Sequence, residues 1–444
     1  MAPCATSEEP QGLMSSVSMV EERVITKAVT MPIQASVLHG PRDIRLETRH
    51  IAPPQDDELQ IAIKATGICG SDVSYYKKFA NGDLCACSPL SLGHESSGVV
   101  VAMGAQVRNF ALGDRVALEV GIPCGNCGVC RGGRYNLCKK MRFRSSAKSV
   151  PHFQGTLQER INHPARWCYK LPDTVSFAAA ALLEPLSVAI HAVSRAAVTS
   201  GTSALVLGAG TVGLLTAAMA RQSGCHTVTI ADLSAPRVAY ALANGFATHG
   251  YVVPPSSLSP SAATSGASTP ASSTSTAPLS TPISRYAEIT LQLAAAKALA
   301  ADLIGVTQKA PEDDDADDVG VDYTFECTGV EACMQTSLYA TRPGGKAVIV
   351  GMGTPIQTLP LSAAQLREVD LVGVFRYANT YERAIRVVEG GARMRAQGLG
   401  GFPDLDGMVT HRIKGLGEAQ KGMELACRTT DTEGGLVVKV VIET

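Results

Sequence analysis

The chain has 444 residues, a formal net charge of −1 at pH 7, 45% hydrophobic residues and 18% charged ones. That length predicts two domains, each able to bury its own core. A near-neutral balance without a basic stripe gives no electrostatic reason to expect nucleic acid or an anionic membrane surface, and no apolar run reaches the length of a membrane span. Thirteen cysteines, an odd and mostly clustered set, suit metal ligands in a reducing compartment better than a disulfide framework. Residues 1–32 carry Glu8, Glu9, Glu21 and Glu22, with neither the apolar stretch of a secretory signal nor the basic character of a transit peptide. They read as a disordered tail, with the cytoplasm as the default location.

From Ile33 to Lys64 apolar and polar residues alternate, broken by Gly40-Pro41 and Pro53-Pro54, which predicts short strands and a β-rich opening domain over 33–185. Two motifs lie on this lobe at glycine-punctuated strand ends: Gly67-Ile68-Cys69-Gly70-Ser71-Asp72 and Gly93-His94-Glu95-Ser96-Ser97-Gly98. Together they offer a thiolate, an imidazole and a carboxylate, the donors of a catalytic zinc that keeps one open position. Taken singly, Cys69 reads equally as a core cysteine and His94 as a structural histidine. Ser71 is placed either to pass a hydroxyl proton outward or to satisfy a strand end.

Cys124-x2-Cys127-x2-Cys130-x7-Cys138, in a loop with Gly125, Gly128, Gly132 and Gly133, is the most specific signal. Four thiolates at that spacing predict a closed structural zinc that stiffens a lobe and does no chemistry. Ala178 to Leu183 and Val188 to Ala197 are helix formers flanking Glu184-Pro185, where the proline should break or restart the helix. Glu184 is a further carboxylate between the domains, either approaching the metal, holding its water or substrate, or simply starting a helix.

The strand run Ala204 to Leu207 is followed at once by Gly208-Ala209-Gly210-Thr211-Val212-Gly213, which opens an apolar helix. Glycines there let backbone amides approach a pyrophosphate at a helix N-terminus. Asp232 ends the next strand, where it would accept from a ribose diol and repel a 2′-phosphate, favouring NAD; Arg237, five residues on, is the counter-argument. Strands and helices then alternate (227–231, 237–244, 322–326, 346–350, 370–375), predicting a doubly wound parallel sheet over 186–374. That order is interrupted by a Ser/Thr/Ala/Pro insert at 255–283, expected to be disordered, and by an acidic loop at 306–320; between them 286–304 has helical spacing. Residues 375–444 are expected to return to the first domain. A zinc Lewis acid beside a nicotinamide pocket implies hydride transfer from an alcohol carbon.

On these motifs the chain resembles the zinc-containing medium-chain dehydrogenase/reductase family, from about Ile33 to the C-terminus apart from 255–320. It looks most like the polyol branch of sorbitol and xylitol dehydrogenases, with fungal-like segments, through Glu184-Pro185-Leu186-Ser187-Val188, Glu326-Cys327-Thr328-Gly329 and Val374-Phe375-Arg376-Tyr377-Ala378-Asn379-Thr380. The resemblance implies a GroES-like catalytic domain, split across both chain ends around a Rossmann domain, in a homotetramer. It implies catalytic zinc at Cys69, His94 and Glu95 with Glu184 at or next to the metal, and polyol contacts from Tyr75, Glu184, Arg376 and Tyr377. NAD contacts follow at Val212, Asp232, Arg237, Val350, Gly351, Met352, Val374, Phe375 and Arg376. One departure is Ser74, where many relatives carry a proton-relay histidine. The expected activity is oxidation of a secondary alcohol of a sugar alcohol to a ketose with NAD. The alternatives are an L-arabinitol or other secondary-alcohol dehydrogenase and, from another class, a non-catalytic NAD-binding protein with structural zinc only.

Overall fold

A computed structural model describes residues 30–255, 285–307 and 319–444. Most of the tail, the 255–283 insert and the acidic loop expected from the sequence lie outside these residues. The first lobe opens with a hairpin of β1 (Met31–Gly40) and β2 (Asp43–Ile51). It continues into β3 (Glu58–Gly67), α1 (Gly70–Lys78), β4 (Glu95–Met103), β5 (Arg115–Leu118), β6 (Arg160–Pro164) and β7 (Cys168–Lys170).

Near the far end of the chain, β14 (Val409–Lys414) and β15 (Lys439–Glu443) join the same sheet. Its strand order is β7-β5-β4-β3-β15-β14, with β6 also pairing β3. The C-terminal strand pairs antiparallel with β3 through Val441–Gly67, Ile442–Thr66 and Glu443–Ala65. Segments far apart in the chain therefore meet next to the Cys69 motif, where Lys439 donates to the carbonyl of Ile68, 371 residues away, at 2.9 Å.

Two helices lead into the second sheet: α2 (Phe177–Ala181), capped by Ser176, and α3 (Leu183–Ala196). Pro185 sits in the first turn of α3, where a missing N–H costs nothing, so the helix restarts just before the proline and does not end at it. The Rossmann-like unit runs β8 (Ser203–Leu207), α4 (Thr211–Gln222), β9 (Thr227–Asp232), α5 (Ala235–Ala243), β10 (His249–Val252), α6 (Arg285–Thr307), β11 (Val321–Glu326), α7 (Glu331–Ala340), β12 (Thr341–Ile349) and β13 (Asp370–Gly373). All six strands are parallel, in the order β10-β9-β8-β11-β12-β13. The order reverses at β8 and β11, the switch point where a doubly wound sheet takes its ligand. One apolar core continues from α2 and α3 through β8 and α4 to Tyr377 and to Tyr381 of α8 (Tyr381–Ala396), so it crosses from one lobe to the other.

Two expectations need correction. Cys69 and Ser71 do not lie on a strand end: β3 stops at Gly67, Cys69 caps α1, and Ser71 stands in its first turn. A short polar helix (Gly-Ser-Asp-Val-Ser-Tyr-Tyr) carries little apolar periodicity, so it is hard to read locally. Second, α6 is long and apolar enough, by length and composition, to cross a membrane. Here Ala296, Leu299, Ala300, Leu303 and Thr307 are buried; Leu299, Ala300 and Leu303 cluster with Leu205 and Leu207 of β8, and Thr307 Oγ1 bonds Thr229 Oγ1 of β9 at 2.9 Å. The helix supplies the crossover that a parallel sheet requires between β10 and β11.

Candidate active site

The Cys69 thiol, the His94 imidazole and a Glu95 carboxylate oxygen offer donor atoms that all lie within 4.8 Å of one another, with His94 and Glu95 buried. One residue that the motif reading passed over assembles them. The carboxylate of Asp72, fully buried in α1, accepts from the Cys69 amide at 3.1 Å, the Gly93 amide at 3.2 Å and Ser145 Oγ at 2.7 Å. Its Oδ1 lies 3.3 Å from His94 Nδ1. A single side chain thus staples the loop after β3 to the loop before β4. Asp three residues after a helix cap was its signal in the sequence.

Burial disfavours charge on His94, but the Asp72 carboxylate and the Cys69 thiol outweigh it and hold the imidazole well above its usual range. Negative charge gathered on buried donors is the electrostatic character of a cation site.

Behind Glu95 stands Lys439 of β15, ion-paired to Glu95 Oε2 with both side chains almost wholly buried. Burial opposes the ammonium, yet the Glu95 carboxylate stabilises it and raises its pKa above the ordinary value. Gly67 leaves room for this pair, since a Cβ there would collide with the Glu95 carboxylate and the Lys439 side chain. Lys439 also escaped the sequence reading; its only signal is one cation inside the apolar run Val437 to Ile442.

Glu184 lies in the first turn of α3 and outside the converging triad. Burial, reinforced by the Glu95 charge, pushes its carboxyl up to about 7, against the pull of His94. Arg376 follows β13 in a left-handed conformation, φ 52°. Its guanidinium stacks 3.6 Å from the Phe143 ring centroid, and that ring lies 5.5 Å from the His94 ring. Left-handed backbone at a bulky residue is held only where the surroundings demand it. Tyr75 is buried, its hydroxyl accepting from the Ala147 amide at 3.1 Å, and Tyr377 is buried with its hydroxyl beside the Glu184 carboxyl. Ser71 is half-buried, and Ser74 is committed to the Ala80 carbonyl at 2.9 Å.

The cofactor candidates gather at the carboxyl edge of the parallel sheet. Gly208, Gly210, Val212 and Gly213 form the turn from β8 into α4; a Cβ on Gly213 would strike the Gly208 carbonyl, so only glycine lets helix and strand approach this closely. Asp232, ending β9, accepts from the Ala209 amide at 2.7 Å and the Ser234 amide at 2.8 Å. Each carboxylate oxygen keeps a further lone pair for a ribose hydroxyl. Arg237 Nη2 is engaged by the Val437 carbonyl at 3.3 Å. Val350, Gly351 and Met352 follow β12, and Val374, Phe375 and Arg376 follow β13, so both runs flank the same edge.

The four-cysteine loop closes on itself. Sulfur–sulfur distances are 3.4 Å for Cys127–Cys130 and 3.9 Å for both Cys124–Cys130 and Cys127–Cys138. A tetrahedral cage with metal–sulfur bonds near 2.3 Å places sulfurs about 3.8 Å apart, so the four residues fit zinc. Backbone amides of Asn126 and Cys127 pull the Cys124 thiol down to about 6. Asn136 of this lobe donates to the Phe375 carbonyl at 2.8 Å, tying it to the cleft.

Two family descriptions match the chain: the alcohol dehydrogenase GroES-like domain over residues 55–173 and zinc-binding dehydrogenase over residues 288–390. The chain is 37% identical to sorbitol dehydrogenase of Gallus gallus, over 92% of this chain and 96% of the relative. It is 34% identical to L-idonate 5-dehydrogenase of Vitis vinifera, over 86% and 87%. Among solved structures, a zinc-binding dehydrogenase from Sinorhizobium meliloti bound to NADP superposes with TM-score 0.69 at 26% identity, covering 93% of this chain and all of that one. Identity of this extent, on a chain whose two sheets and buried donor cluster have the arrangement described, makes it a member of the zinc-containing medium-chain dehydrogenase/reductase family, in its polyol dehydrogenase branch.

Proposed function

We propose that this zinc- and NAD-dependent polyol dehydrogenase oxidises sorbitol or xylitol at a secondary hydroxyl, with its reactive centre at Cys69, His94 and Glu95. The observation that carries the reading is the convergence of those three donors, stapled by Asp72 and backed by Lys439. Bound zinc supplies a Lewis acid that makes a substrate hydroxyl acidic, and NAD supplies the hydride acceptor. The protein's own groups do the rest. Asp72 orients His94, and Lys439 restrains Glu95. Glu184 and Arg376 grip hydroxyls flanking the reacting carbon, with Tyr75 and Tyr377 closing the pocket, and Phe143 under Arg376 keeps water out. Ser71 takes the released proton outward. Ser74, already bonded to a carbonyl, leaves the outer part of that path to water.

Asp232 carries the preference for NAD, since a carboxylate there repels a 2′-phosphate; Arg237 gives one Nη2 bond to the Val437 carbonyl and keeps its other N–H groups for the cofactor. Cys124, Cys127, Cys130 and Cys138 hold a structural zinc. Residues 33–185 and 375–444 make up the catalytic domain and 186–374 the nucleotide domain. The outer edge of β13 has no strand partner among the described residues, and Leu371 on it is exposed, as are Met352, Ile356 and Phe375 on the segments that follow β12 and β13. That edge suits a second copy of the chain in a homo-oligomer. Twelve cysteines among the described residues are unpaired, which fits a reducing cytoplasm.

A panel of sorbitol, xylitol, L-arabinitol, ribitol and L-idonate, run with NAD and NADP, tests this. Sorbitol or xylitol with NAD is expected to give the highest kcat/KM. No polyol turnover by the zinc-loaded protein would refute the reading.

A further inference from the structure

Away from the dehydrogenase site, nucleophilic and titratable groups gather at Cys85, Cys87 and His152. Cys85 ends the small hairpin Ala80–Asn81/Leu84–Cys85, and Cys87 lies two residues beyond it. Both are exposed. His152 is buried, and its Nδ1 sits 2.8 Å from the Ser149 carbonyl oxygen. A carbonyl oxygen only accepts, so Nδ1 carries the ring proton and Nε2 presents a lone pair. That lone pair receives the Cys87 amide at 2.9 Å and faces Cys87 Sγ at 3.5 Å. The imidazole is therefore fixed from behind, and its basic nitrogen, which accepts from the Cys87 amide, also lies within reach of a thiol that is exposed to solvent. Cys85, also exposed, has no imidazole hydrogen-bonded to it among the described residues. Nothing in the dehydrogenase reading uses this group.

We propose that Cys87, assisted by His152, is a modification site that forms mixed disulfides with small-molecule disulfides. As Cys87 Sγ attacks one sulfur of the reagent, its proton passes to His152 Nε2, which releases the Cys87 amide, and the imidazolium is stabilised by the Ser149 carbonyl on Nδ1–H. The reagent's S–S bond breaks and a Cys87–sulfur bond forms. The departing thiolate takes the proton back from Nε2 and leaves as a free thiol. Cys87 is oxidised and one half of the reagent is reduced, so no further oxidant is needed. The segment that carries His152 also sends Ser145 Oγ to Asp72 and the Ala147 amide to Tyr75, so the modified thiol sits against a stretch that also reaches the proposed metal centre.

The test uses zinc-loaded full-length protein and glutathione disulfide as the probe. Two variants isolate the thiols: Cys85→Ser keeps Cys87, and Cys87→Ser keeps Cys85. Mass spectrometry of the tryptic peptide 79–108 reads the adduct. Cys87 is expected to react about tenfold faster than Cys85, because a base within reach can take the thiol proton as sulfur attacks. Adding His152→Gln to the Cys85→Ser protein is expected to bring Cys87 down to the Cys85 rate. Equal rates for the two thiols, or a Cys87 rate indifferent to His152→Gln, would overturn the proposal. Should Cys85 react faster in Cys87→Ser/His152→Gln than in Cys87→Ser, the histidine change has loosened the hairpin; the comparison of the two single variants then decides alone.

Discussion

Glu184 shows how environment assigns a role to a carboxyl group. Burial and the neighbouring Glu95 charge let it keep its proton up to about pH 7, and its ionised, hydroxyl-accepting form builds up above that. In the loaded enzyme a bound cation pulls the carboxyl down, so kcat/KM for alcohol oxidation is expected to rise with pH through a limb at or below about 7. Glu184→Gln should abolish that limb and lower kcat/KM by roughly 10²-fold, within the span of general acid–base effects. A pH–rate profile of both proteins checks it; an unchanged limb would assign the titration to another group. At the same scale, Cys69, His94 and Glu95 were legible because each sits in a short motif with its neighbours. Asp72 and Lys439 were not. Asp72 reads locally as a helix cap, and Lys439 meets Glu95 only because β15 pairs with β3 from the opposite end of the chain.

Among elements, the four-cysteine loop is the clearest case of local sequence deciding local structure. Four thiols within fifteen residues, separated by glycines, can close on one ion with little help from the rest of the fold. Cys130→Ser is expected to remove one of the two zinc ions per chain and leave the other in place. The unfolding midpoint should fall with it, by about 2–4 °C for each kcal/mol lost. Metal analysis beside a thermal melt reads both effects, and retention of two zinc ions would refute the structural role. Helices divide differently. The spacing in 286–304 anticipated α6, which runs Arg285–Thr307, whereas α1, polar and two turns long, gave no periodicity to read. The nucleotide-binding turn was legible because strand, glycines, helix and Asp232 fall in one continuous stretch.

At the scale of the molecule, the unpaired edge of β13 is the feature that bears on assembly. Leu371→Lys would place a charge on the exposed face of that edge strand. Leu371→Lys is expected to shift the protein to a smaller species in sedimentation while leaving the two zinc sites filled. A monomeric wild type would remove the basis for the homo-oligomer. Composition, the glycine turn, the cysteine spacing and the two ligand motifs were enough to determine the family, the doubly wound sheet and the residues with metal-binding chemistry, because each signal spans a few adjacent residues whose physics is local. Tertiary structure alone decided that β15 returns beside β3, that Lys439 faces Glu95, that Asp72 joins two loops, and that Arg376 stacks on Phe143 near His94. Those contacts link residues tens to hundreds of positions apart, and separation along a chain carries no record of distance in space.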